Sequence, residues 1–141
     1  MRDYFNISEF HVDPEAESIP IHVADKVRKY HIPIINPIRH KFGKAIYVSE
    51  NSGFRPYVWE IENNRKGDSE HTFGDGQEDP DEWWGAADYT CSDLEWLFLE
   101  LCESPYKRVC IYREEGFIHC DHKGTQRVRF EADADGRWKK L

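Results

Sequence analysis

A predicted β-hairpin in the last third of the chain constrains the fold more than any other feature. RVCIYR, residues 108–113, is rich in β-branched and aromatic residues, and GFIHC, residues 116–120, has the same character. The turn near Glu114 to Gly116 contains a glycine, which is typical of a hairpin. KAIYVS at 44–49 and QRVRFE at 126–131 also have the composition of strands. These segments predict a small, mainly antiparallel sheet.

Helices are predicted mostly ahead of the hairpin, over residues 21–30, 37–42, 56–63 and 92–103. In the first two, Pro33 ends or kinks the first helix, Pro37 opens the second and Gly43 stops it. The last helix begins with a capping box of Ser92 and Glu95. Its apolar residues recur on one face: Leu94, Leu97, Phe98, Leu101. Helices that precede strands, with short connections, favour an α+β fold in which helices cover the sheet.

The length and charge of the chain limit its organisation and its partners. A chain of 141 residues is expected to form one domain, 1–141. The net charge of −8 argues against nucleic acid and anionic membranes as main partners. No apolar run has the length of a transmembrane helix, and MRDYFNISEF at the N-terminus lacks the apolar segment of a secretory signal. We expect synthesis in a cytoplasm, without membrane insertion.

Three residues on separate segments are candidate metal ligands. His119 lies in the second strand of the hairpin, where strand alternation places Glu115 and Asp121 on the same face. His71 lies in a long predicted loop, and Asp88 follows that loop among small residues. A catalytic zinc site needs three protein ligands, an open position and a carboxylate that accepts a proton. These residues meet that requirement if the fold brings them together.

Each candidate also fits a purely structural role. A histidine on a sheet face, a histidine in a loop and an aspartate that caps a turn all occur in proteins without a metal. Arg55, in NSGFRPY, is a candidate to hold a substrate carboxylate or a developing oxyanion, or else a surface arginine. The acidic run DGQEDPDE at 75–82 lacks the spacing of a calcium-binding loop and is expected to be a solvated loop.

Four short motifs, taken in order, resemble those of a known enzyme family. SGFRP, SEHTFG, GAAD and FIH follow one another between residues 52 and 119. They resemble the motifs S-G-[YF]-R, S-x-H-x-x-G, G-x-A-x-D and W-[IV]-H of the M15-type zinc D-alanyl-D-alanine peptidases. FNISEF and KFGKAIYVSENSGFRP also resemble the versions often found in bacteriophage. The likeness covers roughly residues 5–122.

This resemblance implies a small α+β fold, shared with the Hedgehog signalling domain, and a zinc ion held by His71, Asp88 and His119. It implies that Arg55 contacts the substrate, and Ser69 matches the serine of the second motif. The implied reaction is hydrolysis of a peptide bond in peptidoglycan, often one that involves D-alanine. The expected partner is therefore a peptidoglycan peptide, and the expected site of action of this monomer is the bacterial cell wall, after release or delivery from the cytoplasm.

The chain departs from the family pattern between the first two ligands. His71 and Asp88 are 17 positions apart, and DGQEDPDEWW stands between them as an apparent insertion. Glu78 stands at the family spacing and is a rival second ligand. The GAAD neighbourhood favours Asp88, and an insertion in a loop costs little closure entropy.

A second departure concerns the catalytic base. The family carries an acidic residue three positions before the last histidine, and here that position is Gly116. We expect Glu115 to act as the general base, with Glu114 and Asp121 as alternatives. The enzyme is then an endopeptidase, as a phage-type lytic enzyme would be, or a carboxypeptidase that trims terminal D-alanine. The alternative from another class is a non-catalytic module that binds a wall fragment or a protein partner.

Overall fold

The secondary structure consists of helices and short strands, seen in a computed structural model that describes residues 2–12, 19–50 and 52–141. The helices are α1 Ile21–Tyr30, α2 Ile32–Phe42, α3 Tyr57–Glu62 and α4 Leu94–Cys102. The strands are β1 Ile46–Val48, β2 Ala86–Cys91, β3 Arg108–Tyr112, β4 Phe117–Asp121, β5 Val128–Ala132 and β6 Trp138–Lys140. Single 3-10 turns lie at Ile7–Phe10, Glu70–Thr72 and Pro80–Glu82. Asn51, in the turn predicted after the first strand, lies outside the described residues.

The strands form one six-stranded sheet in the order β1-β2-β4-β3-β5-β6. Every neighbouring pair is antiparallel except β3 and β5, which are parallel. The expected α+β class is therefore confirmed, with a sheet that is mixed rather than purely antiparallel. The predicted hairpin is also confirmed, because β3 and β4 pair across the turn that ends at Gly116.

The two faces of this sheet differ because successive residues of a strand point to opposite sides. One face carries small, aliphatic and aromatic residues that belong to the buried core: Ala87, Tyr89, Val109, Ile111, Ile118, Cys120. Helix α4 packs against β2, β3 and β4, and buries Leu97 and Leu101 with this layer. The alternate residues, which include Asp88 and His119, point to the other side and line a cleft.

The local sequence predictions were wrong at several boundaries. Helix α2 begins at Ile32, and Pro37 lies inside it, so the helix continues even though Pro37 has no N–H to donate. Gly43 ends this helix with a φ of 73°, as expected. The cap of α4 is Asp93 rather than Ser92, because the Asp93 carboxylate accepts from the backbone N–H of Trp96. Strands β2 and β6 were not predicted.

Candidate metal centre

Three polar side chains from three elements meet on the cleft side of the sheet. His71 lies on the 3-10 turn Glu70–Thr72, Asp88 on β2 and His119 on β4. Asp88 and His119 are direct cross-strand neighbours, so the pairing of β2 and β4 alone brings them together. Their relative exposures are 3%, 5% and 9% for His71, Asp88 and His119, which places all three at the buried floor of the cleft.

The donor atoms of these residues lie at nearly equal separations. Asp88 Oδ1 is 3.0 Å from His119 Nδ1 and 3.3 Å from His71 Nε2. The two histidine nitrogens are 3.3 Å apart. Zinc bonds of about 2.0–2.1 Å at tetrahedral angles place neighbouring donors about 3.3 Å apart. The cluster therefore already has the spacing that a tetrahedral ion requires of three of its ligands.

The His71 ring is oriented by a backbone carbonyl. Its Nδ1 donates to the carbonyl oxygen of Gly53 at 2.9 Å, which leaves Nε2 facing the cluster. Gly53 has a φ of 72°, and a Cβ there would lie 2.3 Å from the carbonyl oxygen of Phe10. Only glycine fits this position, which explains physically why the SGFRP motif has a glycine there. It places an acceptor behind the first histidine.

The His119 ring is oriented by a carboxylate that is itself fixed. His119 Nε2 donates to Asp121 Oδ2 at 2.7 Å. Arg108 donates to the same carboxylate through Nε at 2.9 Å and Nη2 at 2.6 Å, and the backbone N–H of Lys123 donates at 3.0 Å. A carboxylate behind a histidine is a common outer partner at metal sites, because it holds the ring and raises its basicity.

The electrostatics of the cluster favour negative carboxylates. Burial alone would raise the pKa of Asp88, but interactions with His71 and His119 outweigh it and hold that pKa well below its usual range. Burial alone would lower the pKa of His119, but the hydrogen bonds that the Asp121 and Asp88 carboxylates accept from its ring raise this pKa to about 9. Burial lowers the pKa of His71, which keeps its ring neutral. In the described part of the chain, His71, Asp88 and His119 form a group that can hold a metal ion.

A cleft of about 470 Å³ opens above the cluster. Besides the three cluster residues, its lining comprises Arg55, Arg65, Asp68, Ser69, Glu70, Arg108, Tyr112, Phe117, Lys123 and Trp138. The cleft combines cations, two carboxylates outside the cluster and an aromatic wall. Such a mixture suits an extended polar substrate rather than a small apolar one.

Two of the other predicted site residues lie in this cleft. The Arg55 guanidinium is 3.8 Å from Asp88 Oδ2, and its backbone N–H donates to the carbonyl of His71 at 2.7 Å. The Ser69 hydroxyl accepts from the backbone N–H of His71 at 3.2 Å and so caps the turn that carries this histidine. Ser69 thus positions a cluster residue and also borders the cleft.

The predicted acidic residues are distributed differently. Glu78 is exposed in its loop and does not belong to the cluster. Glu114 and Glu115 are exposed in the hairpin turn and are not among the cleft-lining residues. Strand alternation does not extend back to Glu115, because β4 begins at Phe117 and Gly116 has a φ of 84°. Asp121 is buried and bonded to His119 and Arg108, so it orients the site rather than facing the cleft.

Several cleft residues were missed by the sequence analysis. Glu70 and Asp68 flank Ser69, and their place beside the second motif was the available signal. Burial raises the pKa of Glu70, and the charge of Asp121 adds to this effect. Trp138 comes from β6, which has no strand pattern in the sequence, and Tyr112 was assigned only to a strand. Their contribution to the cleft depends on the sheet order.

Comparisons with known proteins identify no similar protein. The chain matches no family model, no curated protein and no solved structure. Within the described residues, no helix has both the length and the apolar character needed to cross a membrane.

Proposed function

We propose that this protein is a zinc-dependent peptidase that hydrolyses peptide bonds of peptidoglycan, in a D-alanine-containing stem or cross-link, at the bacterial cell wall. The observation that carries the proposal is the convergence of His71 Nε2, Asp88 Oδ1 and His119 Nδ1 within 3.3 Å of one another. The ordered motifs that resemble the M15-type peptidases support the substrate class and a Hedgehog-like relationship of the fold.

Zinc is the metal that best suits this donor set. Two imidazoles and one carboxylate, with a further position left for water or substrate, are typical of catalytic zinc sites. Both imidazoles have outer partners, Gly53 for His71 and Asp121 for His119, as ligating histidines usually do. Zinc, when bound, supplies a Lewis acid that polarises a carbonyl and activates water.

The residues around the cluster would bind and orient the peptide. Arg55 is nine-tenths buried beside Asp88, so its guanidinium lies next to the point where the scissile carbonyl would approach the cluster. A positive charge at that point stabilises a developing oxyanion. Arg65 and Lys123 place further positive charge along the cleft, which suits a substrate that carries carboxylates.

A carboxylate must carry a proton between water and the leaving amine. Glu115 remains the residue predicted from the motif pattern, and Glu70 is the candidate that lines the cleft beside His71. Asp68 also lines the cleft but is exposed. A comparison of Glu70→Gln, Glu115→Gln and Asp68→Asn at equal zinc content identifies the residue, because only loss of the proton carrier abolishes cleavage while zinc stays bound.

The proposed function is tested by zinc content followed by activity. Elemental analysis of the purified protein is expected to show one zinc per chain, and the protein is expected to reduce the turbidity of purified cell walls or to release D-alanine from a stem peptide. Removal of zinc by a chelator should abolish both reactions, and added zinc should restore them. A fully zinc-loaded protein that cleaves neither cell walls nor stem peptides contradicts the proposal.

The two versions of the enzyme differ in what they accept. A peptide whose terminal carboxylate is blocked is cleaved only by an endopeptidase, whereas a carboxypeptidase requires the free carboxylate. Measuring both peptides with the same zinc-loaded sample separates the two.

One observation favours a non-catalytic module instead. The position of the family's acidic residue is Gly116, and Glu115 next to it is exposed in the turn. A module of this kind would bind wall fragments or a protein partner, with or without zinc, and would show no turnover. Saturable binding of a wall fragment without cleavage by the zinc-loaded protein would favour it.

A further inference from the structure

A tyrosine hydroxyl on the cleft wall has a donor hydrogen that the protein itself does not use. Tyr112 lies on β3, two residues from Cys110, which is the cross-strand neighbour of His119. Residues two apart in a strand share a face, so Tyr112 stands on the same side of the sheet as His119. Both residues line the cleft.

The hydrogen-bond partner of Tyr112 fixes which way the phenol donates. Trp138 Nε1 lies 2.6 Å from the Tyr112 hydroxyl oxygen. An indole N–H can only donate, so the tyrosine oxygen accepts this bond and its own hydrogen must find another acceptor. Among the described residues, no acceptor for that hydrogen is within hydrogen-bond distance. The hydrogen is therefore available to a molecule in the cleft.

The surroundings hold the phenol in one position. The Tyr112 ring stacks on Phe117, with centroids 4.4 Å apart and planes at 17°. Trp138, which orients the hydroxyl, lies 5.3 Å from the His119 ring and 5.0 Å from the Arg108 guanidinium. Trp138 therefore contacts Tyr112, the His119 ring and the Arg108 side chain that holds Asp121. Donors held in place before reaction stabilise developing charge at little reorganisation cost.

We propose that the Tyr112 hydroxyl donates a hydrogen bond to the carbonyl oxygen of the scissile peptide bond as negative charge develops on it. This inference rests on the proposed peptidase function. It gives the developing oxyanion two protein donors, Arg55 and Tyr112. The phenol only donates a hydrogen bond and keeps its proton throughout. Burial raises the pKa of Tyr112, which keeps it protonated at neutral pH.

The test compares hydroxyl removal with matched controls on a soluble stem peptide, offered with its terminal carboxylate free and blocked, in whichever form the wild type cleaves. Tyr112→Phe retains the ring that stacks on Phe117 and should lower kcat by about 100- to 1,000-fold with little change in KM. Trp138→Phe removes the donor that orients the phenol and should lower kcat by a smaller factor. Tyr47→Phe removes an exposed hydroxyl on β1, outside the cleft lining, and should leave kcat unchanged.

Two further measurements separate a role in the reaction from a role in structure. Zinc content and melting temperature should be the same in Tyr112→Phe and the wild type. A phosphinate analogue of the tetrahedral state should bind Tyr112→Phe more weakly, by a factor similar to the loss in kcat, while affinity for the unreacted peptide is retained.

The outcomes distinguish this inference from the function on which it rests. A wild-type protein that cleaves no peptide overturns both. A wild type that cleaves, together with Tyr112→Phe that cleaves within twofold of it, overturns the role of Tyr112 and leaves the peptidase function standing. The role of Tyr112 is also overturned if kcat of Tyr112→Phe falls only in proportion to its loss of zinc. The hydroxyl would then act on the fold and not on the substrate.

Discussion

Adjacent residues of β4 belong to two different environments. Ile118 and Cys120 point towards the helices and are packed in an apolar layer, whereas His119 and Asp121 lie on the opposite side of the sheet and take part in a charged network. Both pairs are almost completely buried. The helix side is stabilised by packing, and the cleft side is stabilised by hydrogen bonds among His71, Asp88, His119, Asp121 and Arg108.

The difference shows how a small sheet can hold a buried cluster of polar side chains. The apolar face supplies the free energy that orders the strands, so the other face can carry groups that cost energy to bury. On the cleft side, Asp88 sits between two histidines, and Asp121 sits between His119 and Arg108. Each charge has a partner of opposite sign or a hydrogen bond, which is the condition for burying it.

The largest expected effect on stability lies on the helix side. Ile118→Ala leaves a cavity between β4 and the helices and should lower the free energy of unfolding by about 2–5 kcal/mol. Zinc bound per folded molecule should not change, because the side chain points away from the cluster. Denaturant unfolding and elemental analysis check the two statements. If Ile118→Ala lost zinc without losing stability, the assignment of stability to the helix side and metal binding to the cleft side would be contradicted.

Two buried histidines, His31 and His119, should respond in opposite directions to pH. His31, at the junction of α1 and α2, is fully buried with its ring nitrogens near the Tyr106 hydroxyl and the Trp84 carbonyl, and burial lowers its pKa to about 3. The unfolded chain binds a proton there first, so stability should fall as pH drops from about 6.5 towards 3, by on the order of 2 kcal/mol at pH 4.5. His119, with its pKa raised to about 9, should instead stabilise the metal-free protein below pH 6.5 and lose this contribution as pH rises to 9.

Denaturant unfolding of the metal-free protein at several pH values measures this difference. His31→Gln should reduce the slope between pH 6.5 and 4.5. The remaining slope should come from His71 and His122, whose pKa values burial also lowers. An unchanged slope in His31→Gln would show that the buried ring does not resist protonation.

The outer partner of His119 should affect metal affinity more than its apolar neighbour does. Asp121→Asn weakens the hold on the imidazole and removes the charge opposite Arg108, and should weaken zinc binding about 10- to 100-fold. Cys120→Ala, one residue away on the helix side, should leave zinc affinity unchanged. Competition with a chelator of known affinity measures both. Equal zinc affinities of Asp121→Asn and the wild type would show that Asp121 does not contribute to metal binding.

The smallest effect concerns the helix that covers the apolar face. Asp93→Ala removes the side-chain acceptor at the start of α4 and should cost about 1 kcal/mol of unfolding free energy. Ser92→Ala should change stability little, because Asp93 makes the capping bond. If Ser92→Ala lowered the free energy of unfolding more than Asp93→Ala does, Ser92 would be the residue that caps α4, as the sequence predicted.

Local sequence signals predicted the elements that form by themselves. The apolar face of α4, the β-branched residues of β3 and the left-handed glycine after α2 depend only on neighbours along the chain. β2 was missed because Ala86 and Ala87 have low strand propensity, and it becomes a strand by pairing with both β1 and β4. β6, a three-residue strand at the sheet edge, has no distinctive pattern.

The sequence indicated the parts of the candidate site that are side chains with metal-binding atoms, but not the parts that are backbone groups. His71, Asp88 and His119 were found from motif order and residue type. The Gly53 carbonyl was not predictable, because every residue has one and only the packing on Phe10 directs it. Glu115 was placed by extending strand alternation beyond the point where β4 begins, and its role as a base stays a prediction.

Zinc stoichiometry in single ligand variants tests the central claim most directly. The wild type is expected to bind one zinc ion per chain, and His71→Ala, Asp88→Ala and His119→Ala are expected to bind none at micromolar zinc while remaining folded. Glu78→Ala is the matched control and is expected to retain the ion. A wild type without zinc, or an Asp88→Ala variant that binds zinc as tightly as the wild type while Glu78→Ala does not, would contradict the site.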